Sequence, residues 1–188
     1  MRSLVKGMRV GVIGTGSIGT IVARILIAFE CEVMCFDPDP SRHIPECRYA
    51  NHLDEVLTFC HIVTLHMPVT PSTRHVINDR TISRMRRGVL LANTSRGALI
   101  DTDALIRALK SGQVGGAVLD VYEGEAGYFY RDLEGEVVQD DRLARLLSFP
   151  NVLLTAHQAF FTREALTSIT NSVCSSILEH VHRLQPSQ

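Results

Sequence analysis

The stretch V-G-V-I-G-T-G-S-I-G at residues 10–19 decides how this chain is read. Met8 to Ile13 is an apolar run that predicts a buried strand ending in glycine. Beyond it, Ile18, Ile21, Val22, Ile25, Leu26 and Phe29 recur at helical spacing and predict a helix over 17–29 with one buried stripe. Between strand and helix lies G-x-G-x-x-G, which is the context a dinucleotide-binding turn requires. Gly14 permits the tight turn, Gly16 lets backbone approach a pyrophosphate, and Gly19 lets the helix pack close to the strand. Free amides at the positive end of that helix then face the phosphates.

A second short strand, Glu32 to Phe36, ends at Asp37, 18 residues after Gly19. An acid there accepts hydrogen bonds from a ribose diol and repels a 2′-phosphate, so NAD is favoured over NADP. Asp37-Pro-Asp-Pro is also a good turn sequence, and a solvated turn acid is the plainer alternative.

Outward from these two features, strands and helices alternate. Strands are predicted at Ile62–Leu65, Val89–Ala92, Gly116–Val121 and Val152–Thr155. Helices are predicted at Leu53–Phe59 and Asp79–Met85, from Asp101 as N-cap to Lys110 with Gly112 beyond it, and at Asp140–Leu147. The last helix starts from Thr162 and carries a stripe of Leu166, Ile169, Val173, Ile177, Val181 and Leu184, before a Pro186 tail. Such alternation implies parallel pairing with helices on both faces. The expected fold class is α/β, a doubly wound, mostly parallel sheet of six strands, the Rossmann dinucleotide-binding domain.

Composition agrees with a soluble domain. The chain has 188 residues, 45% hydrophobic and 21% charged, with a formal net charge of −1. No basic excess points to nucleic acid, no apolar run is long enough for a membrane, and no signal peptide is evident. The five cysteines (Cys31, Cys35, Cys47, Cys60 and Cys174) form no C-x-x-C pair and read as reduced thiols in a cytoplasmic protein. His180 and His182, two apart on a helix, point to different faces, so no metal site is expected.

Longer motifs then bring a family into view: H-M-P-V-T-P-S-T-R-H-V-I-N (66–78), N-T-S-R-G-A-L-I-D-T (93–102), L-D-V-Y-E-G-E (119–125) and F-P-N-V-L-L-T-A-H-Q-A-F-F-T (149–162). With the glycine loop, in this order, they resemble the D-isomer-specific 2-hydroxyacid dehydrogenases, and among them the D-lactate dehydrogenase branch. The resemblance runs from about Val10 to about Ile177. It implies a catalytic trio: Arg96 binding the substrate carboxylate, His157 as general acid–base, and Glu125 as the partner of His157. It also implies cofactor contacts at Ser17, Ile18, Met67, Pro68, Thr73, Thr94, Ser95, Arg96 and Asp120, besides Gly14, Gly16, Gly19 and Asp37.

The chemistry asks for the same residue types. Reducing a 2-keto acid needs a planar cationic fork for the carboxylate, which Arg supplies. It also needs a proton donor that titrates near neutrality, which His supplies, with a carboxylate beside it raising its pKa. Read singly, Arg96 is an ordinary loop arginine, Asp120 a turn former, Glu125 a loop acid and Met67 a core wall. Tyr128, Phe129, Tyr130, Phe160 and Phe161 either line a substrate pocket or simply pack.

The resemblance further implies NAD as cofactor, a small 2-keto or 2-hydroxy acid as substrate, and a homodimer. It divides the chain into an NAD-binding Rossmann domain (1–160) and a C-terminal helix (161–188) that returns toward a substrate domain. The N-terminal part of that substrate domain is expected to be absent, with Met1 to Lys6 resembling the end of the helix leading in. Two functions stay open at this point: an NAD-dependent D-2-hydroxyacid dehydrogenase, and a truncated, non-catalytic NAD-binding module, either a pseudoenzyme or a redox-sensing interaction protein.

Overall fold

The computed structural model describes residues 5–39, 44–129 and 137–184. Tyr130, the Pro186 tail, part of Met1–Lys6 and the side chains of His182 and Leu184 lie outside the described residues. The elements run β1 (Arg9–Ile13), α1 (Ser17–Ala28), β2 (Glu32–Phe36), β3 (Arg48–Tyr49), α2 (Leu53–Phe59), β4 (Ile62–Leu65), α3 (Asp79–Arg84), β5 (Val89–Asn93), α4 (Thr102–Ser111), β6 (Val114–Leu119), α5 (Asp141–Leu147), β7 (Val152–Leu154) and α6 (Arg163–Leu184).

Among the described residues seven strands form one sheet in the order β3-β2-β1-β4-β5-β6-β7. Every pairing in it is parallel. This is the doubly wound α/β sheet expected. The chain leaves β1 toward β2 and β3, then returns to β4 on the other side of β1. That reversal opens a crevice at the carboxyl ends of β1 and β4, where open α/β sheets bind ligands. Central strands read as nearly continuous apolar runs because both faces are covered. Val10, Val12, Ile13, Val63 and Leu65 are accordingly buried. One face packs a large cluster with Leu57, Leu91, Leu105 and Leu146. The other packs a small one, in which Val12, Val33, Cys35 and Cys47 meet Ala23 of α1.

Helix ends follow their caps. Asn78 accepts from the amides of Arg80 and Thr81, Asp101 from Ala104 (3.1 Å), and Asp140 from Arg142 and Leu143. Gly112 ends α4 in the left-handed region at φ +70°.

Two expectations need correction. The sheet gains β3, a two-residue edge strand too short to leave a periodic signal. Most of the stripe expected to be buried on α1 is exposed: Ile18, Ile21, Ile25 and Phe29 lie outward, Val22 and Leu26 are half-buried with Leu26 against the small cluster, and Gly19, Thr20 and Ala23 face the sheet. A helix crossing directly over a strand end needs small side chains on its inner face, and here that requirement overrides the apolar stripe.

The chain divides into two compact units, residues 1–156 and 157–188. The first holds the sheet and α1 to α5. The second holds α6, started by Thr162, whose hydroxyl oxygen accepts from Ala165 N at 3.2 Å. Along α6, Leu166, Ile169, Val173, Ile177 and Val181 are exposed.

Candidate functional site

The glycine loop takes its shape from close backbone approaches. Gly14 has φ +94°, and a Cβ on it would stand 2.6 Å from the carbonyl oxygen of His66. Its amide donates to Phe36 O at 2.8 Å. A Cβ on Gly19 would overlap the carbonyl oxygen of Gly14, so that contact requires a hydrogen. A Cβ on Gly16, by contrast, would meet nothing within 4 Å. Gly16 is the N-cap of α1 and brings no side chain to its first amides. Ser17 and Ile18, at the tip, are exposed.

Asp37 stands one residue past β2 and is tied to the loop. Its Oδ2 accepts from Thr15 N (2.7 Å) and Thr15 Oγ1 (3.2 Å), and its Oδ1 from Asp39 N (3.0 Å). Open space over Gly16, an uncapped helix start and an acid at the end of β2 together fit a dinucleotide.

The loops after β4 and β5 are joined. Ser95 Oγ donates to Met67 O at 2.7 Å. Met67 is buried and Pro68 exposed. Thr73 Oγ1 donates to Pro68 O (2.7 Å) and accepts from Thr70 N (2.7 Å), so it folds its own loop. Asn93, 1% exposed at the end of β5, builds the next turn with both ends of its amide: Nδ2 donates to Arg96 O (2.9 Å) and Oδ1 accepts from Ser95 N (3.1 Å). Thr94 and Arg96 are left exposed on that turn, with Arg96 Nη1 donating to Ser95 O at 2.7 Å.

The Arg96 turn also abuts the E-G-E loop, since a Cβ on Gly97 would overlap the backbone of Tyr122 and Glu123. In that loop Glu125 Oε2 accepts from Tyr122 N at 3.0 Å. Glu123 Oε1 accepts from Arg74 Nη2 (2.6 Å) and His75 Nε2 (2.7 Å). Asp120 is buried at the end of β6, where its amide meets Asn93 O (2.9 Å) and its Oδ1 accepts from Thr155 Oγ1 (2.6 Å). Within the first unit, Arg96, Asp120 and Glu125 therefore sit on the carboxyl ends of β5 and β6, beside the crevice.

His157 opens the second unit, three residues past β7. It follows Ala156, and both residues are left-handed, at φ +52° and +56°. Non-glycine residues avoid that region, and it recurs at functional sites. Its ring meets Phe160 edge-on, with centroids 6.4 Å apart. Of the candidate pocket aromatics, Phe129 is buried in the main core, Tyr128 is half-buried against it, and Phe160 and Phe161 are exposed.

Sequence reasoning passed over Asn93, Thr155 and the Arg74–His75–Glu123 cluster. Asn93 carried a signal, a polar residue closing an apolar strand. Thr155 carried none, because its partner is 35 residues away.

Comparison with known proteins agrees with this geometry. Residues 1–159 match the family described as D-isomer specific 2-hydroxyacid dehydrogenase, NAD binding domain. The chain is 48% identical over 163 residues to the D-lactate dehydrogenase kk1H of Curvularia clavata, covering 87% of this chain and 47% of that protein. Its structure is similar to that of the pyruvate reductase of Chlamydomonas reinhardtii, with TM-score 0.91 and 40% identity over 100% of this chain and 58% of the other. It is also similar to the D-lactate dehydrogenase from Aquifex aeolicus complexed with NAD and lactic acid, with TM-score 0.83 and 36% identity over 96% and 55%. The chain belongs to the D-isomer specific 2-hydroxyacid dehydrogenase family and carries its NAD binding domain. It spans about half the length of the curated relatives it matches.

Proposed function

We propose that this chain is the NAD-binding half of an NAD-dependent dehydrogenase that interconverts a small D-2-hydroxy acid, D-lactate or a close analogue, and its 2-keto acid. The observation that carries the reading is the placement of Arg96, Asp120 and Glu125 at neighbouring strand ends beside a glycine loop shaped for a dinucleotide.

NAD, when bound, supplies or accepts the hydride. Gly14, Gly16, Ser17, Ile18 and Gly19 hold its pyrophosphate, and Asp37 its adenosine ribose. Met67, Pro68, Thr73, Thr94, Ser95 and Asp120 line its remaining length. The Arg96 guanidinium clamps the substrate carboxylate and draws charge from the adjacent carbonyl. His157 gives the proton to the carbonyl oxygen on reduction and takes it back on oxidation. Glu125 favours the protonated imidazole. Residues 1–160 form the Rossmann domain, and the helix of 161–188 returns toward a substrate domain, for which its exposed apolar face is suited. A homodimer in a reducing, cytoplasmic compartment completes the reading, and the five unpaired cysteines support the compartment.

The exposed Arg96, which bonds its neighbour's carbonyl, favours a second reading: a module that binds NADH without turnover. NADH titration followed by a panel of pyruvate, glyoxylate, 2-ketobutyrate and phenylpyruvate separates the two. Turnover abolished by Arg96→Ala and by His157→Ala upholds the dehydrogenase. With the substrate-domain half supplied, NADH binding with no oxidation of NADH by any of the four acids rejects it in favour of the module.

A further inference from the structure

At the β2–β3 edge two sulfurs meet that the dinucleotide site does not use. Cys35 is the fourth residue of β2; Tyr49 in β3 is its register partner, and Ala50 N donates to its carbonyl at 2.8 Å. Cys47 stands two residues before Tyr49, in a turn closed by its own amide donating to Ile44 O at 3.0 Å. That turn brings Cys47 into the small apolar cluster that holds Cys35, Val12, Ala23, Val33 and Ile44. There the two thiols are near enough to shift each other's titration, Cys35 upward and Cys47 downward. Cys35 is fully buried, whereas Cys47 keeps 7% of its surface. Pro45 and Glu46, its chain neighbours, line an open cleft of about 490 Å³ with Arg24, Ile27 and Ala28 of α1, which is ample for a small solute.

We propose that Cys35 and Cys47 are a dithiol that a peroxide closes to a disulfide, and that closure weakens dinucleotide binding at the adjoining glycine loop. The neighbouring Cys35 thiol holds the Cys47 thiol below its ordinary value, against burial and the Glu46 charge. The Cys47 thiol beside it, with burial, pushes the Cys35 thiol up. Cys47, less deeply buried than Cys35 and next in the chain to Glu46 of the cleft, is the sulfur that a peroxide meets first. Its thiolate attacks one peroxide oxygen, the O–O bond breaks, and hydroxide leaves with a proton as water; Cys47 is now a sulfenic acid. Cys35 then attacks the Cys47 sulfur. The S–S bond forms, the S–O bond breaks, and the departing hydroxide takes the Cys35 proton as a second water. Two thiols are oxidised and one peroxide is reduced by two electrons.

The coupling runs along β2 and through Tyr49, the register partner of Cys35. Thr15 holds the Asp37 carboxylate, and Asp37 is two residues beyond Cys35. Closing the disulfide draws the sulfurs together, pulls the turn at 44–47 toward β2, and so displaces Tyr49 and the Asp37 end of β2.

The bond and its effect are read separately on the 188-residue chain, before and after hydrogen peroxide. A non-reducing peptide map should show the Cys35 and Cys47 peptides joined, with a loss of about 2 Da. NADH titration by fluorescence should show the dissociation constant raised at least about fivefold, and restored by dithiothreitol. Cys35→Ser and Cys47→Ser, checked for wild-type melting, should abolish the peroxide response; if they fail to fold, the wild-type map still decides the bond. A map in which peroxide leaves Cys35 and Cys47 unlinked, or spends itself on Cys174 or the buried Cys60, overturns the proposal. A linked map with unchanged NADH affinity overturns the coupling. The affinity arm rests on the dinucleotide reading of the loop: failure of the reduced chain to bind NADH rejects that reading and the coupling with it, while the map alone decides the bond.

Discussion

Replacing two glycines of one motif by alanine should have opposite consequences. At Gly19, inside α1, helix propensity alone favours alanine by about 1 kcal/mol. Against this, the new methyl lies far inside 3 Å of the Gly14 carbonyl oxygen, and it also crowds the His66 side chain. That oxygen belongs to backbone held by Gly14 N–Phe36 O and Thr15 N–Asp37, so relief means moving α1 off the sheet. Overpacking ordinarily costs about 1–3 kcal/mol, and a backbone obstacle belongs at or beyond the upper end. The net expectation for Gly19→Ala is a loss of about 1–3 kcal/mol, which for a chain of this size lowers the melting midpoint by about 2–12 °C. At Gly16 the methyl enters open space at φ −64°, so stability should change by less than about 1 kcal/mol. The same methyl stands where the pyrophosphate must approach, so NADH affinity should fall at least about tenfold. Calorimetric melts of the free chain and NADH titrations measure both. Wild-type NADH affinity in Gly16→Ala would show that the space above the loop is not the phosphate site. An unchanged melting midpoint in Gly19→Ala would refute the packing argument.

Asp37→Asn keeps an acceptor for Thr15 but removes the charge, so the ratio of NADPH to NADH affinity should rise at least about tenfold, read by parallel titrations. Burial pushes the Asp140 carboxyl up, but the Tyr122 hydroxyl and the Leu143 and Arg142 amides outweigh it and hold it below the ordinary 3.8. A carboxylate lowered on folding stabilises above its unfolded value and loses that contribution as pH falls through the folded one. The melting midpoint should therefore drop between about pH 5 and pH 3, and Asp140→Asn should flatten that part of the curve.

The pattern of the chain shows which parts of the structure are legible in advance. Ile62–Leu65 and Leu53–Phe59 fall where periodicity places them because strand and helix spacing differ over even a few residues. Asp101, Asp140 and Thr162 mark helix starts because a short polar side chain satisfies orphan amides locally. α1 misleads for a tertiary reason: spacing reveals a stripe but not which side the sheet lies on. β3 is held by two register pairs with β2, and nothing in Arg48–Tyr49 itself announces them. At the site, residues inside motifs could be named one by one. Thr155 and the Arg74–His75–Glu123 cluster act through partners remote in sequence, and only the fold reveals such pairings.

Asn93 has a consequence for the thermodynamics of whatever this turn receives. Its amide closes the N-T-S-R turn from inside, with one end on Ser95 and the other on Arg96, using no group that a ligand must supply. The turn is therefore in shape before anything arrives, and an incoming molecule need not freeze it. Binding there should carry little of the entropy loss that accompanies loop ordering, leaving its heat to report the new contacts themselves. Asn93→Asp keeps the acceptor and loses the donor, converting a finished turn into one that its visitor must complete.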